Sequence, residues 1–135
     1  MEQLVFINLP VKDLPKSREF FGKLGFSFNQ QFSDDTAACM IISSTSYAML
    51  LTEEKFRGFT NKPLADARLS TEVLISLSCE SRRRVDEMVA LAVAAGASLY
   101  NKANDYGFMY GHGFQDLDGH IWEVFWMDPT HVQET

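Results

Sequence analysis

The sequence predicts an α+β fold made of two βαβββ modules, and two observations carry this prediction. A strand with apolar residues at every second position is followed by an amphipathic helix, and this unit occurs twice along the chain. Two strand-like segments separated by turn residues then follow each helix. Because modules of this size cannot each enclose a core, we expect a curled mixed sheet around a cleft, with the helices outside.

The first module is predicted over about residues 3–57. Its first strand should pack one apolar side on the helix, which leaves Phe6 and Asn8 on the side that faces the cleft. Asp13 is placed to cap the helix, and Gly25 to end it in a left-handed turn. The apolar side of the strand consists of Val5, Ile7, Leu9 and Val11. The two later strands are predicted at 37–43 and 47–52.

The second module, over about residues 71–128, repeats these features. Alternation along its first strand again leaves Leu74 and Ser76 facing the cleft. Ser81 is placed to cap the helix, and Gly96 to end it. The apolar side of the strand consists of Val73, Ile75, Leu77 and Cys79. The two later strands are predicted at 108–115 and 121–127.

Composition limits the classes of protein to which the chain can belong. With 135 residues, of which 46% are hydrophobic, we expect one domain over residues 1–135. The net charge is −6 and the only dense basic run is 82–84, which argues against a nucleic-acid binder. No apolar run reaches the roughly 20 residues that cross a bilayer, and the first residues do not resemble a signal peptide. We therefore expect a cytoplasmic protein that binds neither nucleic acid nor membrane.

Glu123 is the main candidate site residue, because it is a lone carboxylate in an apolar strand. The alternation of side chains along a strand does not determine which side of the last strand faces the cleft. In the first module we assign Ala48 and Leu50 to the cleft side. The matching assignment in the second module gives Ile121, Glu123 and Phe125. A carboxylate in apolar surroundings must be paired or hydrogen-bonded, or its pKa rises. Its candidate hydrogen-bond donors are Asn8, Ser76, Tyr110 and His112.

Two roles stay open for Glu123. It is either a general base or ligand anchor, or it belongs to a structural hydrogen-bond network. If the other side of the strand faces the cleft, Glu123 is merely exposed. His112, between two glycines, is a second catalytic candidate that either reaches the cleft or lies at the surface. His120 is expected to bond to the backbone of its turn. The ligand-binding candidates are Phe6, Asn8, Leu50, Leu74, Ser76, Tyr110 and Phe125.

The aromatic residues, 13% of the chain, suit a cleft that binds a flat or apolar small molecule. The connection between the modules, about residues 53–70, carries Phe56 and Phe59. A connection of this length often covers a site or contacts a partner. We therefore expect a small-molecule ligand.

Segments 7–14, 24–26 and 116–123 occur in order over the two modules. Together with the paired βαβββ pattern, they resemble the superfamily of glyoxalases, bleomycin-resistance proteins and extradiol dioxygenases, also called vicinal oxygen chelate proteins. The resemblance spans nearly the whole chain and implies the glyoxalase-like fold. Segments 106–111 and 122–129 are similar to the bacterial branch usually labelled predicted lactoylglutathione lyase.

The resemblance also implies where a metal ion would be bound. Metal enzymes of this superfamily take one ligand from the first strand and one from the last strand of each module, usually His, Glu or Gln. The corresponding residues here are Phe6, Leu50, Leu74 and Glu123. Three of them are apolar and cannot donate to a cation, so we expect no cofactor. A divalent metal is disfavoured, and Glu123 would be its ligand only if a metal is present.

The sequence leaves three functions open. The first is a small-molecule enzyme with little or no metal dependence, in which Glu123 is the base; the second is a ligand-sequestering binding protein of the resistance type. The third is a metal-dependent lactoylglutathione lyase whose site is completed by His112 or His120 of another chain. An enzyme would have glyoxalase-like lyase or isomerase activity, or a dioxygenase-related one. The resemblance further implies a homodimer, in which the modules pair within one chain or are exchanged between chains.

Overall fold

The computed structural model of the protein describes residues 1–131. It divides the chain into two compact units, one over Met1–Ala65 and the other from Asp66 onward. Each unit contains a four-stranded mixed sheet and a long helix. No helix within residues 1–131 has the length and apolar character that a membrane-spanning segment requires.

The first unit begins with a strand and a helix and ends with a short helix that leads into the connection. Its elements are β1 (Val5–Val11), α1 (Leu14–Lys23), β2 (Ser27–Asn29), a 3-10 turn (Gln30–Phe32), β3 (Ala37–Ile41), β4 (Ser46–Thr52) and α2 (Glu53–Arg57). The strand order is β1-β4-β3-β2. The first strand is parallel to the last, and the other neighbours are antiparallel.

The second unit has the same topology. Its elements are β5 (Leu74–Ser78), α3 (Arg82–Ala94), β6 (Asn104–Asp105), β7 (Met109–Gln115) and β8 (Ile121–Met127). The strand order is β5-β8-β7-β6, again with the first strand parallel to the last. The predicted α+β class and the repeated βαβββ module are therefore confirmed.

The predicted helix ends are also confirmed. The side chain of Asp13 accepts a hydrogen bond from the backbone nitrogen of Lys16 at 3.1 Å, and the side chain of Ser81 accepts one from that of Arg84 at 3.0 Å. These bonds satisfy backbone donors that the first turn of a helix leaves free. Gly25 and Gly96 follow the two helices with φ angles of 104° and 115°, a conformation that costs glycine little.

The register of the first sheet corrects the assignment of Ala48 and Leu50 to the cleft side. The parallel ladder pairs Leu9 with Leu50 and Asn8 with Met49, and paired residues project from the same side of a sheet. Leu50 is fully buried on the side of Leu9, where α1 contacts the sheet. The residue that shares a side with Asn8 is Met49.

The wrong assignment of Ala48 and Leu50 comes from aligning the two repeats one residue out of register. Such a shift turns every side chain of a strand to the opposite side of the sheet. The polar run Ser43–Ser46 has the length of the acidic segment 116–119, and the sequence alone therefore suggests that these two turns correspond. The ladders instead pair Ile41 with Tyr47 and Gln115 with Ile121, so the matching turns are 42–46 and 116–120. Glu123 therefore corresponds to Met49.

The core of the second unit lies between its sheet and α3. The helix contacts β7 and β8, and its apolar side is buried. From the sheet, the buried residues are Ile75, Phe114, Trp122 and Val124. Each such side chain contributes about 1.5–3 kcal/mol when it is removed from water. This packing fixes the side of β8 that holds Trp122 and Val124, and so turns Glu123 to the other side.

Candidate functional site

Glu123 lies on the side of the second sheet that α3 does not cover. The parallel ladder pairs Ser76 with Glu123, and the antiparallel ladder pairs Gly113 with Glu123. We call this side the Glu123 face. In β5, β7 and β8 it consists of Leu74, Ser76, Ser78, Met109, Gly111, Gly113, Gln115, Ile121, Glu123, Phe125 and Met127. Four candidate site residues that were chosen from the sequence, Leu74, Ser76, Glu123 and Phe125, thus share one side of the sheet; their roles stay predictions.

Two neutral hydroxyl groups hold the Glu123 carboxylate. Ser76 Oγ donates to Oε1 at 3.2 Å, and the Tyr100 hydroxyl donates to Oε2 at 3.1 Å. The carboxylate is half-buried. A carboxylate offers about four lone-pair directions, so each oxygen keeps capacity for one more donor.

Tyr100 reaches Glu123 because position 113 has no side chain. A Cβ atom at Gly113 would lie 2.8 Å from the Tyr100 hydroxyl oxygen and 3.0 Å from its Cε1. It would also lie 2.8 Å from the backbone oxygen of Trp122. Real Cβ atoms do not approach other atoms this closely, so the glycine is required for the observed position of the tyrosine ring.

The environment of Tyr100 keeps its hydroxyl protonated. Burial raises its pKa to about 12, and the negative charge of Glu123 and the hydrogen bond to it act in the same direction. A protonated tyrosine is a donor to the carboxylate and carries no charge. Tyr100 was not among the candidates chosen from the sequence, because it lies in a loop without periodic pattern.

The second glycine of β7 leaves space beside Phe125. A Cβ atom at Gly111 would make only ordinary contacts, 3.6 Å to the backbone oxygen of Val124 and 3.7 Å to Phe125 Cβ. The sheet surface at this position therefore carries no side chain, while the half-buried Phe125 lies opposite it in the ladder. The Glu123 face thus combines apolar side chains with bare backbone at Gly111.

No basic group balances the charge of Glu123 within residues 1–131, where this carboxylate forms no ion pair. The strands that form the Glu123 face, β5, β7 and β8, contain neither Lys nor Arg. Among the described residues, the groups that stabilise the carboxylate are therefore two hydroxyl dipoles, and the rest of its solvation comes from water.

Tyr110 does not donate to Glu123, and its predicted place beside that residue is wrong. It is paired with Trp126 in the ladder and lies on the side of α3. Its hydroxyl donates to Asp86 Oδ1, which raises the pKa of Tyr110, and the guanidinium of Arg82 stacks on its ring at 5.3 Å. The tyrosine is thus part of the contact between helix and sheet.

His112 is likewise on the α3 side, opposite Val124, so the prediction that it donates to Glu123 is wrong. Its Nε2 lies 3.2 Å from the backbone oxygen of Asn101. Alternation along β7 gives the physical reason: with Gly111 and Gly113 on the Glu123 face, the residues between and beside them must point to the helix.

The acidic turn before β8 is a structural element. Asp116 is buried, and its Oδ1 accepts hydrogen bonds from the backbone nitrogens of Asp118 at 2.9 Å and His120 at 3.0 Å. Its Oδ2 accepts one from Trp122 Nε1 at 2.9 Å. Burial raises the pKa of Asp116, whereas the charge of His120 and the bond from Trp122 oppose the rise. The turn thereby fixes the start of the strand that carries Glu123.

In the first unit, Asn8 lies beside the connection that leads out of the module. A depression of about 400 Å³ is lined by Asn8, Phe56, Phe59 and Thr60. Its two phenylalanines are those singled out in the sequence, and Phe59 is 69% exposed. Phe6, on the same side of β1 as Asn8, stacks on Tyr47 with ring centroids 4.8 Å apart.

The residues present do not fit the metal site that the resemblance implies. With Met49 in place of Leu50, the four corresponding positions hold Phe6, Met49, Leu74 and Glu123. Two of these side chains are hydrocarbons, and a thioether suits soft metals only. No group of three His, Cys, Asp or Glu within residues 1–131 is arranged to share a metal ion. A catalytic divalent metal requires about three such donors.

Comparisons with known proteins agree with the fold. Residues 3–43 match the family model described as bleomycin resistance protein-like N-terminal. The structure is similar to that of a hypothetical protein from S. aureus, with 29% identity, a TM-score of 0.78, and coverage of 93% of this chain and 94% of that one. It is also similar to a glyoxalase-related enzyme from Fulvimarina pelagi, with 20% identity, a TM-score of 0.79, and coverage of 93% and 88%.

A third similar structure is a genomically encoded fosfomycin resistance protein from Listeria monocytogenes, with 18% identity, a TM-score of 0.67, and coverage of 93% of each chain. No curated protein sequence matches the chain. Because the sequence identities to the last two structures are low, these two comparisons show a shared fold and nothing about function. The chain therefore has the fold of these proteins, and the sequence of its first module resembles the N-terminal part of bleomycin resistance proteins.

Proposed function

We propose that the protein binds a small, partly aromatic or apolar molecule on the Glu123 face, without a metal ion. The observation that carries this proposal is a half-buried carboxylate held by two neutral hydroxyl groups on a side of the sheet that also presents Leu74, Ile121 and Phe125. A polar group in such surroundings is costly unless it forms hydrogen bonds, and it fixes the orientation of a ligand that supplies one.

The hydrogen bonds to Glu123 prepare it for binding. Ser76 and Tyr100 hold both oxygens in place before a ligand arrives, so little side-chain entropy is lost on binding. The apolar area that a ligand would cover is contributed by Leu74, Ile121 and Phe125. Burial of this area supplies affinity, while the carboxylate supplies selectivity.

The comparisons support a binding role of the resistance type. The family model that matches residues 3–43 is described as bleomycin resistance protein-like, and one similar structure is a fosfomycin resistance protein. A ligand-sequestering protein needs a shaped and selective surface but no catalytic metal, which agrees with the donor set around Glu123.

A second candidate function is catalysis with Glu123 as general base, acting on an acidic C–H bond or on water. The lone pairs that Ser76 and Tyr100 leave free favour it, because a base must accept a proton from its substrate. A lactoylglutathione lyase is the least supported function, since it requires metal donors beyond Glu123, supplied by another chain.

A thermal-shift screen with metabolites and aromatic antibiotics tests the binding proposal. Compounds that stabilise the wild type should not stabilise Glu123→Gln, and should stabilise the matched control Glu72→Gln, which changes an exposed glutamate. Mass spectrometry of each mixture then separates the two functions, because unchanged compound supports binding and product formation supports catalysis. Near-stoichiometric metal by elemental analysis, with isomerase activity that Glu123→Gln abolishes, would contradict the proposal.

We also propose that the protein is a cytoplasmic homodimer. Apolar residues at the starts of β1 and β5, each at an edge of its sheet, are about half exposed in the single chain, and a second copy would cover such residues. They are Leu4, Val5, Phe6, Val73 and Leu74. Light scattering should give twice the mass of one chain, and a monodisperse monomer would contradict the dimer.

A further inference from the structure

We propose that the ligand of the Glu123 face carries a positively charged nitrogen, as a protonated amine or guanidinium attached to an apolar or aromatic body. This inference rests on the proposed binding function and names its ligand class. It starts from the charge of Glu123, which no basic residue within the described residues 1–131 balances.

The two groups that hold the carboxylate do not neutralise it. Ser76 and Tyr100 are both hydroxyl donors, so neither brings a positive charge to the carboxylate. Hydroxyl dipoles stabilise an anion that keeps contact with water, but a ligand on this face displaces that water. A bound molecule must therefore replace the lost solvation of the carboxylate.

A neutral ligand replaces that solvation poorly, whereas a cation replaces it with a charge-assisted hydrogen bond. Such bonds are roughly twice as strong as bonds between neutral groups. An anionic ligand would place like charges together and leave both without compensation. The absence of Lys and Arg from β5, β7 and β8 agrees with this order of preference, because a basic residue there would repel a cation.

The shape of the face suits a cation with an apolar body. Phe125 follows Glu123 by two residues and lies on the same side of β8. Its ring offers apolar area and an electron-rich surface to a cationic group. Gly111 leaves bare backbone beside Phe125, whereas the Tyr100 ring occupies the space over Gly113, so a flat body can approach the sheet at Gly111.

The experiment compares three indole compounds that differ mainly in charge: tryptamine (cationic), tryptophol (neutral) and indole-3-propionate (anionic). Their binding to the wild-type protein is measured by calorimetry and by shifts of backbone amide resonances. We expect tryptamine to bind about tenfold more tightly than tryptophol, and indole-3-propionate to bind least. The tryptamine Kd should rise with salt, while the tryptophol Kd should not.

Variants locate the charge preference. In Glu123→Gln the difference between tryptamine and tryptophol should disappear, and in the control Glu72→Gln it should remain. Tyr100→Phe should retain the preference with weaker binding, since it removes one hydroxyl but leaves the charge. Amide spectra of each variant establish that it is folded.

Two outcomes would overturn the inference. One is equal or tighter binding of tryptophol or indole-3-propionate; the other is no tryptamine-dependent shift among the residues of the Glu123 face. If neutral compounds bind and Glu123→Gln abolishes their binding, the proposed function stands and only the charge preference fails. If no compound of either kind binds at this face, the proposed function fails as well.

Discussion

Gly113 lies opposite Glu123 in the ladder between β7 and β8, and its missing side chain admits the tyrosine ring that bonds to that glutamate. One residue type therefore determines whether the carboxylate has one donor or two. This relationship joins a backbone requirement to the chemistry of the Glu123 face, and it is directly testable.

Gly113→Ala should destabilise the protein and displace Tyr100. The new Cβ atom would lie 2.8 Å from both the Tyr100 hydroxyl and the Trp122 backbone oxygen, so side chain and strand must both shift. We expect a loss of about 1–3 kcal/mol in the free energy of unfolding, measured by urea denaturation. Gly111→Ala is the matched control, because its Cβ makes only ordinary contacts. Equal stability of the two variants would contradict the geometry.

Tyr100 should be the last tyrosine to ionise, with a pKa of about 12. Ultraviolet absorbance as a function of pH follows the ionisation of the four tyrosines. Tyr100→Phe should remove the absorbance change near pH 12. Tyr106→Phe, which alters an exposed ring, should leave that absorbance change intact. A high-pH change that persists in Tyr100→Phe would show that another tyrosine carries it.

The same shift of pKa predicts how stability depends on pH. Folded Tyr100 holds its proton above the ordinary pKa of 10.0, so the unfolded chain loses that proton first as the pH rises. The contribution of Tyr100 is therefore complete below pH 10 and is lost between pH 10 and about 12. Urea midpoints should fall over this window more steeply for the wild type than for Tyr100→Phe. Parallel curves would contradict the shift.

Asp116→Ala should cost about 2–4 kcal/mol in the free energy of unfolding, because it removes the acceptor of three hydrogen bonds. Two of these are backbone nitrogens of the turn, and the third is Nε1 of the buried Trp122. Tryptophan fluorescence during denaturation gives the stability and reports on this indole. Asp35→Asn, at an exposed aspartate of the first unit, is the control and should change stability by less than about 0.5 kcal/mol.

The corrected register of the first sheet predicts different costs for two neighbouring substitutions. Leu50→Ala removes a fully buried side chain and should cost about 2–5 kcal/mol. Met49→Ala changes a half-buried side chain on the opposite side and should cost clearly less. Thermal and urea denaturation of the pair measure this difference. A larger loss in Met49→Ala would favour the register in which Leu50 faces away from α1.

The sequence predicted those parts of the fold that depend on local signals. Asp13, Ser81, Gly25 and Gly96 act within one helical turn of their own positions, so the pattern alone identified both helices. The side on which Leu50 lies depends on strand register, and a slip of one residue reverses it. Local pattern could not decide that question.

The candidate site was predicted in part, for a related reason. Glu123 and Ser76 meet because both follow period two on paired strands. Tyr100 comes from a loop, and no periodicity connects it to Glu123. A signal for it did exist, since two glycines within one strand mark a close approach by another group, and Gly113 is the point of that approach.

The pairing of the first strand of each unit with the last has a consequence for synthesis on the ribosome. In the second unit, β5 hydrogen-bonds to β8, so it remains without that neighbour until residue 127 has emerged. Contacts this distant in sequence slow folding, and an unpaired apolar edge is open to association meanwhile. The Glu123 face consequently forms only after β8 has emerged, and a chain stopped before β8 would contain α3 and β5 but not this face.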